Sequence, residues 1–254
     1  MLMEKMLNAA MPLLEGRVVT DLVIGLTLIA CELDNESVGV SYVLRENLPI
    51  GCSPFEFAQG IIGRPAAEIA QFITSGTDDI QRAVAAAVLV AASNKLDISD
   101  DSETSPFGID FKADDTVGMV GYIGPVARFL SGKIKELIAF DKGLWMNGRY
   151  EMLCPMELQP ELLPKCDVVL LSGTTTINGT IDSLLEMCSA AREVVLVGPS
   201  TPMYPEGYKG TCLTRLAGSW WANKHKNEIF KSISLAGGIQ HIKQYMIKKV
   251  VPMK

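Results

Sequence analysis

DVVLLSGTTTINGT, residues 167–180, is the stretch on which the reading of the fold turns. An apolar run from Asp167 to Ser172 has strand length. A loop of hydroxyls, one Asn and two glycines follows, and Thr180 to Ala190 then carries a helical pattern. The same unit recurs on both sides. Upstream, Val117 to Tyr122 reads as a strand, Pro125 to Lys135 as a helix and Glu136 to Asp141 as a second strand. Downstream come a strand at Glu193 to Val197 and a fifth one on or beside Trp220 and Trp221. A helix from about Asn223 to Leu235 and a short apolar strand close the chain. Strand and helix in alternation predict a parallel sheet covered by helices, a Rossmann-like α/β domain. Trp145 to Pro155 fits this pattern only as a hairpin or an ornament.

Ahead of residue 111 the pattern differs. Leu2 to Leu14 has helical spacing, with Gly16 placed to end the helix. Leu22 to Cys31 reads as one strand. Asp34-Asn35 supplies a turn, and Val38, Val40, Tyr42 and Leu44 alternate as in a second, antiparallel strand. Pro65 opens a helix over Ala66 to Ile73, Ser75-Gly76 breaks it, and an Ala-rich helix runs from about Asp78 to Ala92. Thr77, Asp78 and Asp79 suit the start of that helix. From Asp97 to Asp115 acids, serines and Pro106 displace the periodicity. The expectation is therefore an α+β domain over 1–110 and a Rossmann-like domain over 111–254.

The chain has 254 residues, 48% of them hydrophobic and 20% charged, enough for real cores. Its net charge of −6, with only Lys248-Lys249 as a short basic tail, gives no footprint for nucleic acid. The apolar run Val18 to Ala30 contains Asp21, is broken by Gly25 and falls short of the roughly 20 residues a bilayer needs. No export signal precedes it. The six cysteines, Cys31, Cys52, Cys154, Cys166, Cys188 and Cys212, show no CxxC and no framework, as in a reducing cytoplasm. Cys166, Cys188 and Cys212 fall in or beside core elements. Cys52, in Gly51-Cys52-Ser53-Pro54, is the thiol expected to be accessible. His225 and His241 both read as exposed or capping, so no Ser-His-Asp arrangement is assembled from them.

In an open parallel sheet, ligands bind beyond the carboxyl ends of the strands, where strand order reverses. That rule selects four loops. Gly121-Tyr122-Ile123-Gly124 could seat an anion at a helix start, although Tyr122 stands where a full GxGxxG has its second glycine; a plain tight turn is the alternative. Asp141 follows about 20 residues after Gly121, the spacing of a ribose-binding acid. Ser172 to Thr180 offers Thr174, Thr175, Thr176 and Asn178, with Thr180 placed to cap the next helix. Gly198-Pro199-Ser200-Thr201-Pro202 makes a stiff fourth loop.

Taken together, Val117 to Gly121, Leu163-Pro164-Lys165-Cys166-Asp167, Leu196 to Pro202, and Ser75 to Asn94 give the chain a wider likeness. Over nearly its whole length it resembles the heavy-metal chelation protein family of prokaryotes. The resemblance implies an enolase N-terminal-like α+β domain, a Rossmann-like domain and a site in the cleft between them. By position it places Arg45, Ser75, Thr77 and Asp78 on the first wall and the Gly121, Thr174 and Gly198 loops on the second. Enolase chemistry does not follow, because enolase keeps its catalytic groups in a barrel this chain lacks. Two functions follow from these residues. One is a binding protein holding a metal ion or a metal-bearing small molecule among threonine hydroxyls and carbonyls, donors that suit a hard ion or a polar chelate. The other is a transferase or oxidoreductase with a nucleotide-like cofactor on Gly121, Gly124 and Asp141. The expected partner is a small molecule or metal, with neither nucleic acid nor membrane, and a homodimer as the oligomer.

Overall fold

The computed structural model describes residues 1–48, 51–52, 55–101 and 105–253. Helix α1 (Leu2–Leu14) leads into strands β1 (Val19–Ile24), β2 (Leu28–Leu33) and β3 (Val38–Tyr42). Helices α2 (Ala66–Ala70), α3 (Phe72–Ser75) and α4 (Asp79–Ser93) follow. Beyond the linker come β4 (Thr116–Val120), α5 (Gly124–Leu130), β5 (Glu136–Phe140), α6 (Lys142–Met146), α7 (Gln159–Leu162), β6 (Val168–Ser172) and α8 (Ile181–Met187). The chain ends with β7 (Glu193–Val197), β8 (Arg215–Trp221), α9 (Lys226–Ser234), α10 (Ile239–Ile242) and β9 (Met246–Pro252). No helix among the described residues is long and apolar enough to cross a membrane.

All nine strands belong to one mixed sheet in the order β1-β2-β3-β8-β7-β6-β4-β5, with β9 antiparallel on the other flank of β8. From β8 to β5 the strands are parallel, and their order is that of a doubly wound α/β sheet. Order reverses at β4, the first strand of this unit, which has β5 on one side and β6 on the other. Both faces are covered, which is why the parallel strands are apolar through their middles and carry polar residues such as Thr116, Glu136, Glu193 and Arg215 at their ends. Val169, Leu171, Val194 and Leu196 enter one core with α4 and α8, while Val168, Leu170, Val195 and Val197 enter a second core with α5.

Three features differ from the sequence reading. The apolar run expected as a single strand over Leu22–Cys31 turns at Gly25 and makes both β1 and β2, so the leading hairpin is a three-stranded meander. Gly25 lies against α9, where a Cβ would come within 2.4 Å of the Ile233 carbonyl oxygen. The glycine thus marks a close approach as well as a turn. Around Trp145–Pro155 the chain forms α6 and a 3-10 turn over Tyr150–Met152, with no hairpin. Thr180 occupies the position before α8 without capping it, because its hydroxyl donates to Asn178 Oδ1 at 2.8 Å.

The meander joins the parallel sheet through the pairing of Val38 with Trp221. The linker is tied to β9: Asp101 N donates to Lys248 O at 2.9 Å, and the buried Lys249 ammonium donates to Ile98 O at 2.8 Å. Lys249 also pairs with Asp100 at 2.6 Å and sits 4.0 Å from the Trp220 ring centroid.

Candidate functional site

Because β4 to β8 run parallel, the four loops singled out from the sequence leave the same edge of the sheet, and the structure brings them into mutual contact. Gly121 follows β4 with φ +87°, and a Cβ there would stand 2.7 Å from Ser172 Cβ at the end of β6. These two residues close the gap at the point where strand order reverses. Asp141, after β5, accepts from Tyr122 N through Oδ2 at 2.9 Å and from Leu144 N through Oδ1 at 2.8 Å. Its carboxylate therefore both caps α6 and locks the β4 loop to the β5 loop. Gly173 lies so close to the β7 loop that a Cβ would meet Thr201 N at 2.6 Å.

The threonines divide. Thr175 and Thr176 are buried, and their hydroxyls donate to the carbonyls of Ser172 and Gly173, each at 2.7 Å. They brace the turn from within. Thr174 is half-buried, and its Oγ1 shares a hydrogen bond with Ser172 Oγ at 2.8 Å. Thr174 and Ser172 are thus the hydroxyls this loop presents at the rim. Pro199 and Thr201 are buried, Asn178 is exposed, and Gly121, Gly124 and Gly198 are half-buried. The Gly198 amide donates to Ala217 O at 2.9 Å.

The N-terminal part reaches this rim at three points. Tyr42 N, at the end of β3, donates to Ser200 Oγ of the β7 loop at 2.8 Å. Arg82, on the first turn of α4, donates from Nε to Ile177 O of the β6 loop at 2.5 Å, and from a terminal nitrogen to Gly76 O at 2.7 Å. Its other terminal nitrogen pairs with Asp79. Asn47 donates to Asp79 Oδ2 at 2.7 Å and accepts from Lys142 Nζ of the β5 loop at 2.7 Å. An unbroken polar chain therefore runs Ile177–Arg82–Asp79–Asn47–Lys142, from the β6 loop to the β5 loop through the N-terminal part.

Of the four positions implied for the first wall, Arg45 is exposed and begins the 3-10 turn that carries Asn47. Ser75 donates to Gln71 O, while Thr77 and Asp78 are held by Gln81, whose amide nitrogen donates to both; Asp78 Oδ1 also accepts from Gln81 N at 2.9 Å. Ser75, Thr77 and Asp78 thus shape the start of α4. Arg82, Asn47 and Lys142, not singled out from the sequence, make the contacts across the rim together with Asp79, read as a helix-start acid, and Ser172, read as the first residue of the hydroxyl-rich loop. Beside it, a groove of about 450 Å³ is lined by Tyr122, Met152, Arg128, Lys135 and Glu136 among others.

The remaining candidates lie elsewhere. Cys52 is exposed as expected, and Ser53 and Pro54 fall outside the described residues. His225 stacks on Tyr245 with ring centroids 4.6 Å apart, and His241 accepts from Gly238 N within its own helix start. Among the described residues no three His, Cys, Asp or Glu side chains come together as a set able to hold a metal ion. The rim offers hydroxyls, carbonyls and carboxylates, of which Asp141 and Asp79 are each already engaged twice, so its residues do not by themselves make a metal-ligand shell.

Comparisons with known proteins agree with this architecture. A curated relative, an uncharacterized protein of Methanocaldococcus jannaschii, is 33% identical over 104 residues, 40% of this chain; the match spans only 39% of that relative's length. Among solved structures, a DUF364-family protein of unknown function from Pyrococcus horikoshii superposes with a TM-score of 0.80 at 23% identity, covering 99% of this chain and 100% of its own. Another, from Desulfitobacterium hafniense DCB-2, gives 0.79 at 20% identity, covering 98% and 97%. At such identities the likeness speaks for the fold. Two family models match, DUF4213 over residues 6–93 and DUF364 over residues 105–252, both described as "Putative heavy-metal chelation". The DUF364 match takes in more than half of the sequence, and the chain belongs to that family.

Proposed function

We propose that this protein binds a small, polar, metal-bearing molecule at the carboxyl rim of the parallel sheet, between the rim loops and the N-terminal part. The observation that carries the reading is the polar chain Ile177–Arg82–Asp79–Asn47–Lys142, which draws the N-terminal part over the place where β4 and β6 diverge. Doubly wound sheets bind ligands at that place. The family description supports a metal in the ligand. The chemistry of the rim favours a chelate that brings its own donors, because hydroxyls and main-chain groups hydrogen-bond a chelate's periphery but hold a bare ion poorly. Thr174, Ser172 and the exposed ammonium of Lys142 are the groups assigned to that periphery.

Protein purified anaerobically, without chelators, tests this by elemental analysis and thermal shift. Stoichiometric metal that co-elutes with an organic molecule is the expected result, with both lost in Thr174→Val, whose melting temperature should match that of the ligand-free unmodified protein. A preparation containing neither, with no thermal response to added metals or metal chelates, overturns the reading.

A further inference from the structure

The opposite edge of the same sheet gathers sulfur. Cys166 stands two residues before β6, Cys188 ends α8 just ahead of β7, and Cys212 stands three residues before β8. Since β6, β7 and β8 are consecutive parallel neighbours, all three cysteines lie at the amino edge, away from the rim described above. They also lie on one face: Cys166 and Cys188 are buried in the core that contains α4 and α8, and the half-buried Cys212 packs against it. Adjacent strands are about 4.8 Å apart, which places the Cys166, Cys188 and Cys212 segments side by side along this edge.

The contact is tightest at the end of α8. Cys212 Sγ donates to Leu185 O at 3.2 Å. Leu185 is three residues before Cys188, and at a rise of about 1.5 Å per residue its carbonyl points towards the level of Cys188. Burial pushes the Cys188 thiol up to about 12, and the Cys212 and Cys166 sulfurs add to the shift. The Cys212 sulfur thus lies against the last turn of the helix that Cys188 ends. A pocket that keeps its thiols protonated offers nothing to hard cations, whereas a thiophilic ion displaces the protons as it binds.

We propose that Cys188 and Cys212 form a two-sulfur site for a soft monovalent ion of the Cu(I) type, with Cys166 behind Cys188. Two donors in line satisfy such an ion, which is consistent with the lack of any three-ligand set among the described residues. Binding converts two thiols and one cation into a bis-thiolate complex and releases two protons. The half-buried Cys212 is the side from which the ion enters. The site is independent of any ligand at the rim.

The test uses the full-length protein, reduced and anaerobic, titrated with Cu(I) against bathocuproine disulfonate. One ion per chain retained in competition is expected, with X-ray absorption showing two sulfur neighbours. Cys212→Ser and Cys188→Ala should each weaken retention by at least the roughly 10–100-fold that losing even an outer-shell partner costs. Cys52→Ser and the rim variant Thr174→Val should not change it. Circular dichroism monitors folding, and because Cys212 is half-buried its variant keeps the test open if Cys188→Ala does not fold. Absence of competitive retention, retention that survives Cys212→Ser, or equal loss in Cys52→Ser would each overturn the proposal.

Discussion

At Gly121 the backbone adopts φ +87°, and a methyl group added there would stand 2.7 Å from Ser172 Cβ. Gly121→Ala therefore combines an unfavourable left-handed conformation with a clash that separates the β4 and β6 loops, a cost of about 1–3 kcal/mol. Urea unfolding should show that loss, and any ligand at the rim should be lost with it. Gly198, at φ +110° with open space around its Cβ position, makes the contrast: Gly198→Ala should show strain without displacing a neighbour. At this scale the sequence was only partly legible. Glycines and hydroxyls marked the right loops, since strand ends followed by Gly and Thr identify turns from composition alone. What composition cannot tell is which hydroxyls a turn consumes. Thr175 and Thr176 spend theirs on carbonyls three residues back, while Ser172, which looked like the last residue of a strand, bonds Thr174.

Helix α4 was legible as an element because an Ala-rich run preceded by Asp78 carries its own start signal, and Asp78 does cap it. Its packing was not legible. Gly39, the second residue of β3, lets the helix lie directly on the strand: a Cβ there would fall 2.0 Å from Ala87 O and 2.4 Å from Ala91 N. Backbone atoms cannot step aside as side chains do, so Gly39→Ala should cost about 3 kcal/mol or more, seen in urea unfolding. On the other face the meander packs on Ile229 and Ile233 of α9, and charge adds to that contact. Lys226, on α9, pairs with Glu32 at 2.6 Å and Asp21 at 2.9 Å. Partial burial acts to lower its pKa, but the hydrogen bonds and charges of Glu32 and Asp21 outweigh that and raise it above 10.5. A lysine raised on folding contributes its stability fully below the unfolded pKa and loses it as pH climbs through the folded value. Lys226→Met should therefore cost about 1–2 kcal/mol near neutral pH and show a shallower loss of stability above pH ~10.5 than the unmodified protein. Urea melts from pH 8 to 11 give both quantities; equal slopes would remove the ion pairs from the account.

On the scale of the molecule, we read the chain as two units dividing near residue 110, with the polar chain through Arg82 adding to the strand pairing and shared apolar core that join them. Periodicity made the elements on either side of that division legible, since it is a local property. The joint between them was not, because Arg82 finds Ile177 95 residues away and Asn47 finds Lys142 at the same separation. No local pattern distinguishes that arginine from one on a solvated helix face. The joint also bears on stability. Asp79 is 6% exposed, and removing its guanidinium partner leaves a buried carboxylate with Asn47 alone. Arg82→Ala should cost about 3–5 kcal/mol. Asn47→Ala should cost less, about 1.5–3 kcal/mol, the worth of a hydrogen bond to a charged group. If the loss in Arg82→Ala is the stranded carboxylate, adding Asp79→Asn should recover part of it. The contact with the β6 loop should not return, because neither alanine nor asparagine replaces the Nε donor to Ile177. Hydrogen exchange separates the two effects: in the double variant, amides over 173–180 should stay deprotected while those of β6 and β7 regain their protection. Recovery of the loop together with the strands would mean that the β6 loop is held by its own threonines, and that Arg82 serves only to neutralise Asp79.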